Sequence, residues 1–406
     1  MNYPLGLRVL ILDGKSSQCL PLMESFYKQG CYVTVVSPYW ETAGHFSRFA
    51  HKKLIWKSLY VDEEETFSML LKYLISNRND LVLGLSDKTS LLLSKYSDKL
   101  KELTALNIPK WDNFTIAVDK FRTMKFCMEN SIPCPFTIDA EDYNLAQIKT
   151  AIQFPVIVKP KWGVGSVGVR KFNRSEELIV NMKMHKQRFG PLLIQEFIPN
   201  EEQYTAEVFC DKNSNLKACV IILKSRFFPV GGGSSSCNLT VEKPEFIPVI
   251  QNFVNKLQWV GSANIDFIFD RRDNLPKIIE INPRVGAIVK VANVSGVDIA
   301  TLNLDLAFST EVRDSLTYKP GLILRNLMLE LLWLFSSSPD KWFKSSPAFF
   351  KFFGKEIYYQ TISKRDPFVW VGFMLSNLRK YLNIEAIRRK LFFFSFFCLV
   401  EIWLNL

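Results

Sequence analysis

"KPKWGVGSVGVRKF", residues 159–172, spaces glycines at 163, 165 and 168 as G-x-G-x-x-G. Read alone, that spacing is the fingerprint of a dinucleotide-binding turn. Such a turn needs a strand before the glycines, a helix opening on the third, and an acid about 20 residues further on for the ribose. Only the strand is present, in the apolar "PVIVKP" that precedes the glycines. After Gly168 the chain runs on as "VRKF", an extended alternating segment, and Lys183 stands where the acid would fall. Oxidoreductase chemistry is therefore excluded by context, and a strand–loop–strand hairpin replaces it. In such a hairpin glycines let backbone N–H groups close over phosphate oxygens. Lys159, at the end of the incoming strand, can bring an ammonium to the same phosphates; its other reading is an ordinary exposed strand lysine.

A second constellation lies about 100 residues downstream. In "NIDFIFD" Asp266, Ile268 and Asp270 share one face of a strand, and in "KIIEIN" Ile278, Glu280 and Asn282 share one face. A turn at "RRDNL", centred on residue 273, places Asp266 opposite Glu280 with Asn282 beside it. Facing carboxylates repel unless a cation lies between them, and oxygen ligands of this kind suit Mg²⁺, which takes one or two carboxylates plus nucleotide phosphates. A solvated acidic strand face is the competing reading. The apolar residues flanking both strands favour a partly enclosed metal site.

Working outward, "LRVLIL" (7–12), "CYVTVV" (31–36) and "LVLGLS" (81–86) read as strands buried on both faces, with helices over 19–30 and around 64–76. The alternation predicts a small doubly wound parallel sheet in residues 1–115, Rossmann-like in shape but lacking a glycine-rich turn after its first strand. From about 116 to 312, paired strands with interspersed helices predict an α+β region containing antiparallel sheets. "GGGSSS" (231–236) lies between strands and reads as a mobile active-site loop. Residues 313–406 form an aromatic-rich, mostly helical extension.

Composition bounds the rest. The chain has 406 residues, 48% hydrophobic, with a formal charge of +11. It can bury a large core and favours anionic ligands, but its basic residues are scattered, so no nucleic-acid partner is expected. Eight cysteines include no C-x-x-C pair and read as small buried hydrophobes of a reducing compartment. "MNYPLGLRVLILDG" moves directly into a strand, and a cytoplasmic protein is expected. Near the other end, Arg388, Arg389 and Lys390 precede an apolar run from 391 to 406 interrupted by Glu401. That run is shorter than a span of about 20 residues. It reads first as a core or subunit-interface helix, and second as a tail making weak contact with the inner face of a membrane through 388–406.

With these stretches in place, residues from about 115 to 310 resemble the ATP-grasp superfamily. The whole of 1–310 resembles its carbamoyl-phosphate-synthase or biotin-carboxylase-like branch. The matching segments come in the family's order: "DKF…IPCP", "FPVIVKPKWGVGSVGV", "LIQEFIPNEEQYTAEVF", "KSRFFPVGGGSS", "GSANIDFIFD" and "IIEINPRVG". The resemblance implies ATP and Mg²⁺ (or Mn²⁺) as cofactors. Lys120 and Lys159 match the lysines at the nucleotide phosphates, and Gly163, Gly165, Ser166 and Gly168 match the closing glycine loop. Glu196, with the backbone of Phe197 and Ile198, matches the hinge at the adenine edge. Asp266, Glu280 and Asn282 match the metal ligands, and Arg284 the arginine that steadies the transferred phosphoryl group. Lys224 and Arg226 are expected to face phosphate or the acid substrate. The family usually places an acid at the ribose; here Gln203 occupies that position, with Glu202 adjacent. The implied reaction is ligation of a carboxylate to an amine through an acyl phosphate, and a homodimer is a further expectation. Two rival readings are a non-catalytic ATP-binding or scaffold protein at a membrane surface and, less favoured, a biotin-dependent carboxylase. "KRDPFVW" (364–370) resembles the tails of relatives in cell-surface polysaccharide or peptidoglycan precursor synthesis, which suggests amino-acid or amino-sugar acceptors.

Overall fold

A computed structural model describes residue 4 and residues 6–382, apart from 143, 144, 164, 200, 201 and 231. The basic cluster at 388–390 and the apolar run after it lie outside the described residues.

Three sheets succeed one another along the chain. The first contains β1 (Arg8–Leu12), β2 (Tyr32–Ser37), β3 (Lys52–Ile55) and β4 (Leu81–Gly84), all parallel, in the order β3-β2-β1-β4. The inner strands are continuous apolar runs because helices cover both faces. The edge strand β3, "KKLI", is short, half-exposed and half lysine, and so lacks the buried-strand signal of its neighbours. The second sheet is antiparallel: β5 (Thr137–Asp139), β6 (Val156–Pro160), β7 (Arg170–Phe172) and β8 (Leu192–Glu196), in the order β5-β8-β6-β7. The hairpin β6–β7 is the expected strand–glycine loop–strand unit.

The third and largest sheet contains β9 (Gln203–Cys210), β10 (Leu216–Phe228), β11 (Ser234–Thr240), β12 (Gly261–Asp270), β13 (Leu275–Asn282), β14 (Ile323–Arg325) and β15 (Ile357–Tyr359). Its order is β13-β12-β9-β10-β11-β14-β15. One expectation is corrected here. "GGGSSS" is not all loop, since Ser234–Ser236 open β11. The C-terminal extension carries helices Leu327–Ser336, Pro339–Lys344 and Val369–Leu382, and its short strands β14 and β15 lengthen the large sheet.

The two faces of the large sheet are buried differently. Tyr204, Ala206, Val208 and Cys210 point into a core shared with helices Lys120–Glu129 and Phe246–Lys256. On the opposite face Phe209, Ala218, Val220 and Ile222 join a core that runs through helix Ile299–Phe308 into β1, β2 and β4. One apolar cluster thus welds the first sheet to the back of the third. Along β9 this second face passes from buried Phe209 through the polar residues Glu207, Thr205 and Gln203. The candidate active site lies at that polar end.

Candidate active site

β9, β10, β12 and β13 set the floor of the site. Asp266 pairs with Glu280, Asn264 with Asn282, Thr205 with Asp266, and Gln203 with Lys224. Directly paired residues of neighbouring antiparallel strands share a face, so Gln203, Thr205, Lys224, Asp266 and Glu280 all project the same way. The Asp266–Glu280 pairing is the one expected, but for a different reason. The hairpin closes with Asp270 opposite Leu275, and a bulge at Ile279 then shifts the register by one residue. The bulge places Ile278 in the core while Glu280 faces the site, which corrects the expectation that the two share a face. It also frees the Ile279 carbonyl to accept the Lys159 ammonium at 3.2 Å.

Three lysines converge on the two carboxylates. Lys224 Nζ lies 2.8 Å from Asp266 Oδ1, and Lys120 Nζ lies 3.3 Å from Glu280 Oε1. Lys159, 6% exposed, arrives from the end of β6 in the second sheet. Burial, aided by the nearby Lys120 charge and opposed by Glu280 and Asp266, pushes the Lys159 ammonium down to about 8. Burial also raises Glu280 above the usual carboxylate range; the Asp266 charge adds to this and the Lys120 charge opposes it. Asp266 Oδ1 is buried and takes no hydrogen bond among the described residues, the nearby Lys224 ammonium being out of line for one. Its charge is met by the Lys224 ammonium while its hydrogen bonding stays incomplete, and such an oxygen fits a site built to receive a cation. Among the described residues no three Asp, Glu, His or Cys gather into a metal cage.

Arg284 comes just after β13 and approaches the same cluster: its NH2 group lies 3.4 Å from Asn282 Oδ1. Its Nε donates at 2.7 Å to Asp87, the first residue of helix Asp87–Lys95 in the N-terminal lobe. Asp87 is itself well fixed. Ser86 caps that helix in a capping box with Thr89. The buried Asp13 accepts from the amides of Leu85 and Ser86 and from the hydroxyls of Ser86 and Thr89. A second missed residue is Glu207, whose carboxylate accepts from the Gly286 amide at 2.9 and 3.1 Å and thereby holds the turn carrying Arg284. Burial pushes Glu207 up to about 8. Its sequence signal was a lone acid on an otherwise apolar strand. Asp87 had none, because only the tertiary fold brings it to Arg284.

The glycine loop is tethered to this cluster through Lys120, whose ammonium donates to the Gly163 carbonyl at 2.6 Å. Gly165, Ser166 and Gly168 all have positive φ. At Gly168 a Cβ would also meet Pro160 and the Phe189 ring at 2.8–3.0 Å, so only glycine fits. Farther along, Glu196 exchanges hydrogen bonds with the Phe136 backbone and lies 3.5 Å from Arg272. The Phe197 amide donates to Pro155 at 3.2 Å, and Ile198 is buried. Glu202 accepts from the Tyr204 hydroxyl and pairs with Arg271, whereas Gln203 lies beside Lys224 on the face of the site.

Arg226 is not brought to the cluster. A bulge at Ser225 breaks the alternation after Lys224, and the Arg226 guanidinium binds Glu330 through two hydrogen bonds of 2.9 and 2.6 Å. It is buried under the C-terminal extension.

The region that carries this arrangement is similar to known proteins. Residues 117–288 match the family model of the ATP-grasp domain. The D-aspartate ligase of Enterococcus faecium is 22% identical over 58% of this chain and 61% of its own length. The carbamoyl phosphate synthase large chain of Methanoregula boonei is 25% identical over 47% of this chain and 19% of its own. The chain thus spans at most about three fifths of these curated relatives. Among solved structures, the biotin carboxylase domain of Hydrogenobacter thermophilus 2-oxoglutarate carboxylase, determined with MgADP and bicarbonate, superposes with a TM-score of 0.65 at 16% identity, covering 79% of this chain and 74% of that one. N5-carboxyaminoimidazole synthetase from Staphylococcus aureus gives 0.64 at 14% identity, covering 80% and 83%. L-amino acid ligase from Bacillus licheniformis gives 0.58 at 15% identity, covering 77% and 78%.

Proposed function

We propose that the chain, whose residues 117–288 match the family model of the ATP-grasp domain, is an ATP- and Mg²⁺-dependent ligase joining a carboxylate to an amine. The observation that carries the proposal is the Asp266–Glu280 pair, two carboxylates facing each other across a hairpin with three lysines around them.

Asp266, Glu280 and Asn282 would hold Mg²⁺, which when bound neutralises phosphate charge. Lys120 and Lys224, paired with those carboxylates, and the buried Lys159 are the cations offered to phosphate oxygens. Gly163, Gly165, Ser166 and Gly168 present backbone amides that close over the nucleotide and exclude water. Glu196 and the backbone of Phe197 and Ile198 line the adenine end. Gln203, on the face of the site, contacts the ribose in preference to Glu202, which is held by Arg271. The substrate carboxylate attacks the γ-phosphorus of ATP in line, forming an acyl phosphate and ADP; the amine then displaces phosphate to give the amide. Arg284, aimed by Asp87 and by the turn that Glu207 holds, stabilises charge on the transferred phosphoryl group. Arg226 is assigned to the scaffold and takes no part in catalysis.

The relationship to a D-aspartate ligase makes amino acids the first acids and amines to test. The experiment is incubation with ATP, Mg²⁺ and pooled carboxylates and amines, with release of ADP and phosphate as the readout. Turnover is expected with at least one pair, and Glu280→Gln and Lys159→Ala should abolish it. Full turnover in either variant would sink the assignment.

A further inference from the structure

The segment 335–355 of the C-terminal extension has a composition unsuited to a simple solvent-facing surface. Phe335, Phe343 and Phe353 are 84%, 73% and 90% exposed, and Phe350 is 48% exposed. Scattered exposed apolar residues are ordinary; several phenylalanines in one short segment are not. Two of them belong to a cluster of rings: Phe343 stands 5.3 Å from Phe350, and Phe350 stands 6.5 Å from both Trp342 and Phe352. Interleaved with the rings are Lys341, Lys344, Lys351 and Lys355, against the single acid Asp340 in the same stretch. Glu356 pairs with Lys351. Among the described residues no acid forms an ion pair with Lys341, Lys344 or Lys355.

The exposure is enforced from inside. Arg325 donates to the carbonyls of Phe349 and Lys351 at 2.7 Å, and Arg226 donates to the Pro347 carbonyl and to Ser345 Oγ. Glu330 sits between the two guanidiniums and neutralises part of their charge. These charge-assisted bonds pin the backbone of the segment against the large sheet, with Phe349 buried beneath it. The neighbouring rings are thereby held outward on a rigid base.

We propose that this aromatic–basic patch docks on the headgroup region of an anionic lipid surface. The rings would enter the headgroup–acyl boundary and the lysines would meet lipid phosphates. The charge pattern favours this occupant over a second copy of the chain, since a two-fold interface would set a lysine-rich patch against itself. The sequence carries a further element of the same character in Arg388–Lys390 and the apolar run 391–406. Stable surface attachment needs two weak anchors of this kind. No described helix is long and apolar enough to span a membrane, so the binding proposed is peripheral.

The test uses the full chain in co-sedimentation with phosphatidylcholine vesicles, and with vesicles in which about a third of the lipid is phosphatidylglycerol. Sedimentation with the anionic vesicles alone, weakening as salt rises, is expected. The double variant Phe343→Ser, Phe353→Ser removes two exposed rings without touching the core; it should keep its melting temperature and bind about tenfold less tightly. Lys344→Glu should cost at least about fivefold in binding to the anionic vesicles. Equal or absent binding to both vesicle types would overturn the proposal. So would a double variant that sediments like the parent, because residues 388–406 would then carry the attachment. Conversion of a dimer to a monomer by the same variant in lipid-free ultracentrifugation would also overturn it, assigning the patch to self-association. None of these outcomes bears on the ATP-dependent chemistry.

Discussion

The hairpin β12–β13 and the strand β10 use the same device with opposite chemical results. Each carries a bulge, at Ile279 and at Ser225, and each bulge separates two residues that simple alternation would place on one face. On β13 the residue sent inward is Ile278, which the core accepts directly, while Glu280 stays in the site. On β10 Lys224 stays in the site and Arg226 is sent inward, where a charge cannot be tolerated alone. Glu330 must meet it there, with Arg325 on the other side. A bulge therefore decides which of two neighbouring residues faces the candidate site, and the interior must be built to suit the other. Paired acids and bases occur in both regions, yet one set of pairs lines the candidate site and the other is sealed in the interior.

That contrast breaks first under substitution of the site acids. Glu280→Gln or Asp266→Asn should lower ATP turnover by about 100-fold or more while leaving thermal stability unchanged or slightly raised, since either change relieves facing carboxylates. Arg226→Leu or Glu330→Gln should do the reverse. Removing one member of the buried network costs about 3–5 kcal/mol, seen as a lower midpoint in denaturant melts, with kcat retained by the molecules that remain folded. Substantial loss of turnover in Arg226→Leu at full stability would return Arg226 to the site. A smaller effect is expected at Asp87→Asn, which frees Arg284 to swing: kcat should fall about tenfold, with little change in the affinity for ATP.

The buried lysine gives a pH signature. Lys159 binds phosphate only when protonated, so kcat/KM for ATP should fall as pH rises through about 8, and Lys159→Met should abolish that limb of the profile. The stability effect has the opposite sign. The folded state holds this proton less tightly than an unfolded lysine does, so the cost of burying the charge is present below about 8 and is relieved as pH rises through 8 toward 10.5. The smallest effect separates the two ribose candidates: Gln203→Ala should raise the KM for ATP several-fold, and Glu202→Ala should leave it unchanged.

Much of this organisation is legible in the sequence alone. The buried strands of the parallel sheet announce themselves as unbroken apolar runs, and the extended segment after Gly168 identifies the glycine hairpin. Strand periodicity and a turn are enough to oppose Asp266 and Glu280. The expected turn centre is slightly misplaced and the bulge at Ile279 compensates, so the right pairing comes from an incomplete geometry. The remaining features are hidden for physical reasons. β3 is too short and polar to carry a buried-strand pattern. A bulge such as that at Ser225 has no composition of its own, so Arg226 reads as a neighbour of Lys224. Asp87 meets Arg284 across 197 residues of sequence, and Glu330 meets Arg226 across 104. Contacts of that range are set by how the lobes pack and leave no local trace. The added strands β14 and β15, three residues each, are too short to show the alternation that marks a strand.

The central claim is that the cluster of Asp266, Glu280, Asn282, Lys159 and Arg284 transfers a phosphoryl group from ATP to a carboxylate. The most direct measurement supplies a responsive carboxylic acid labelled with ¹⁸O, together with ATP, Mg²⁺ and an amine, and tracks the label by mass spectrometry. An acyl-phosphate route moves one labelled oxygen into the released phosphate, and Glu280→Gln should prevent it. Phosphate that carries no label, or ATP that binds without release of ADP across a broad panel of acids and amines, would contradict the account.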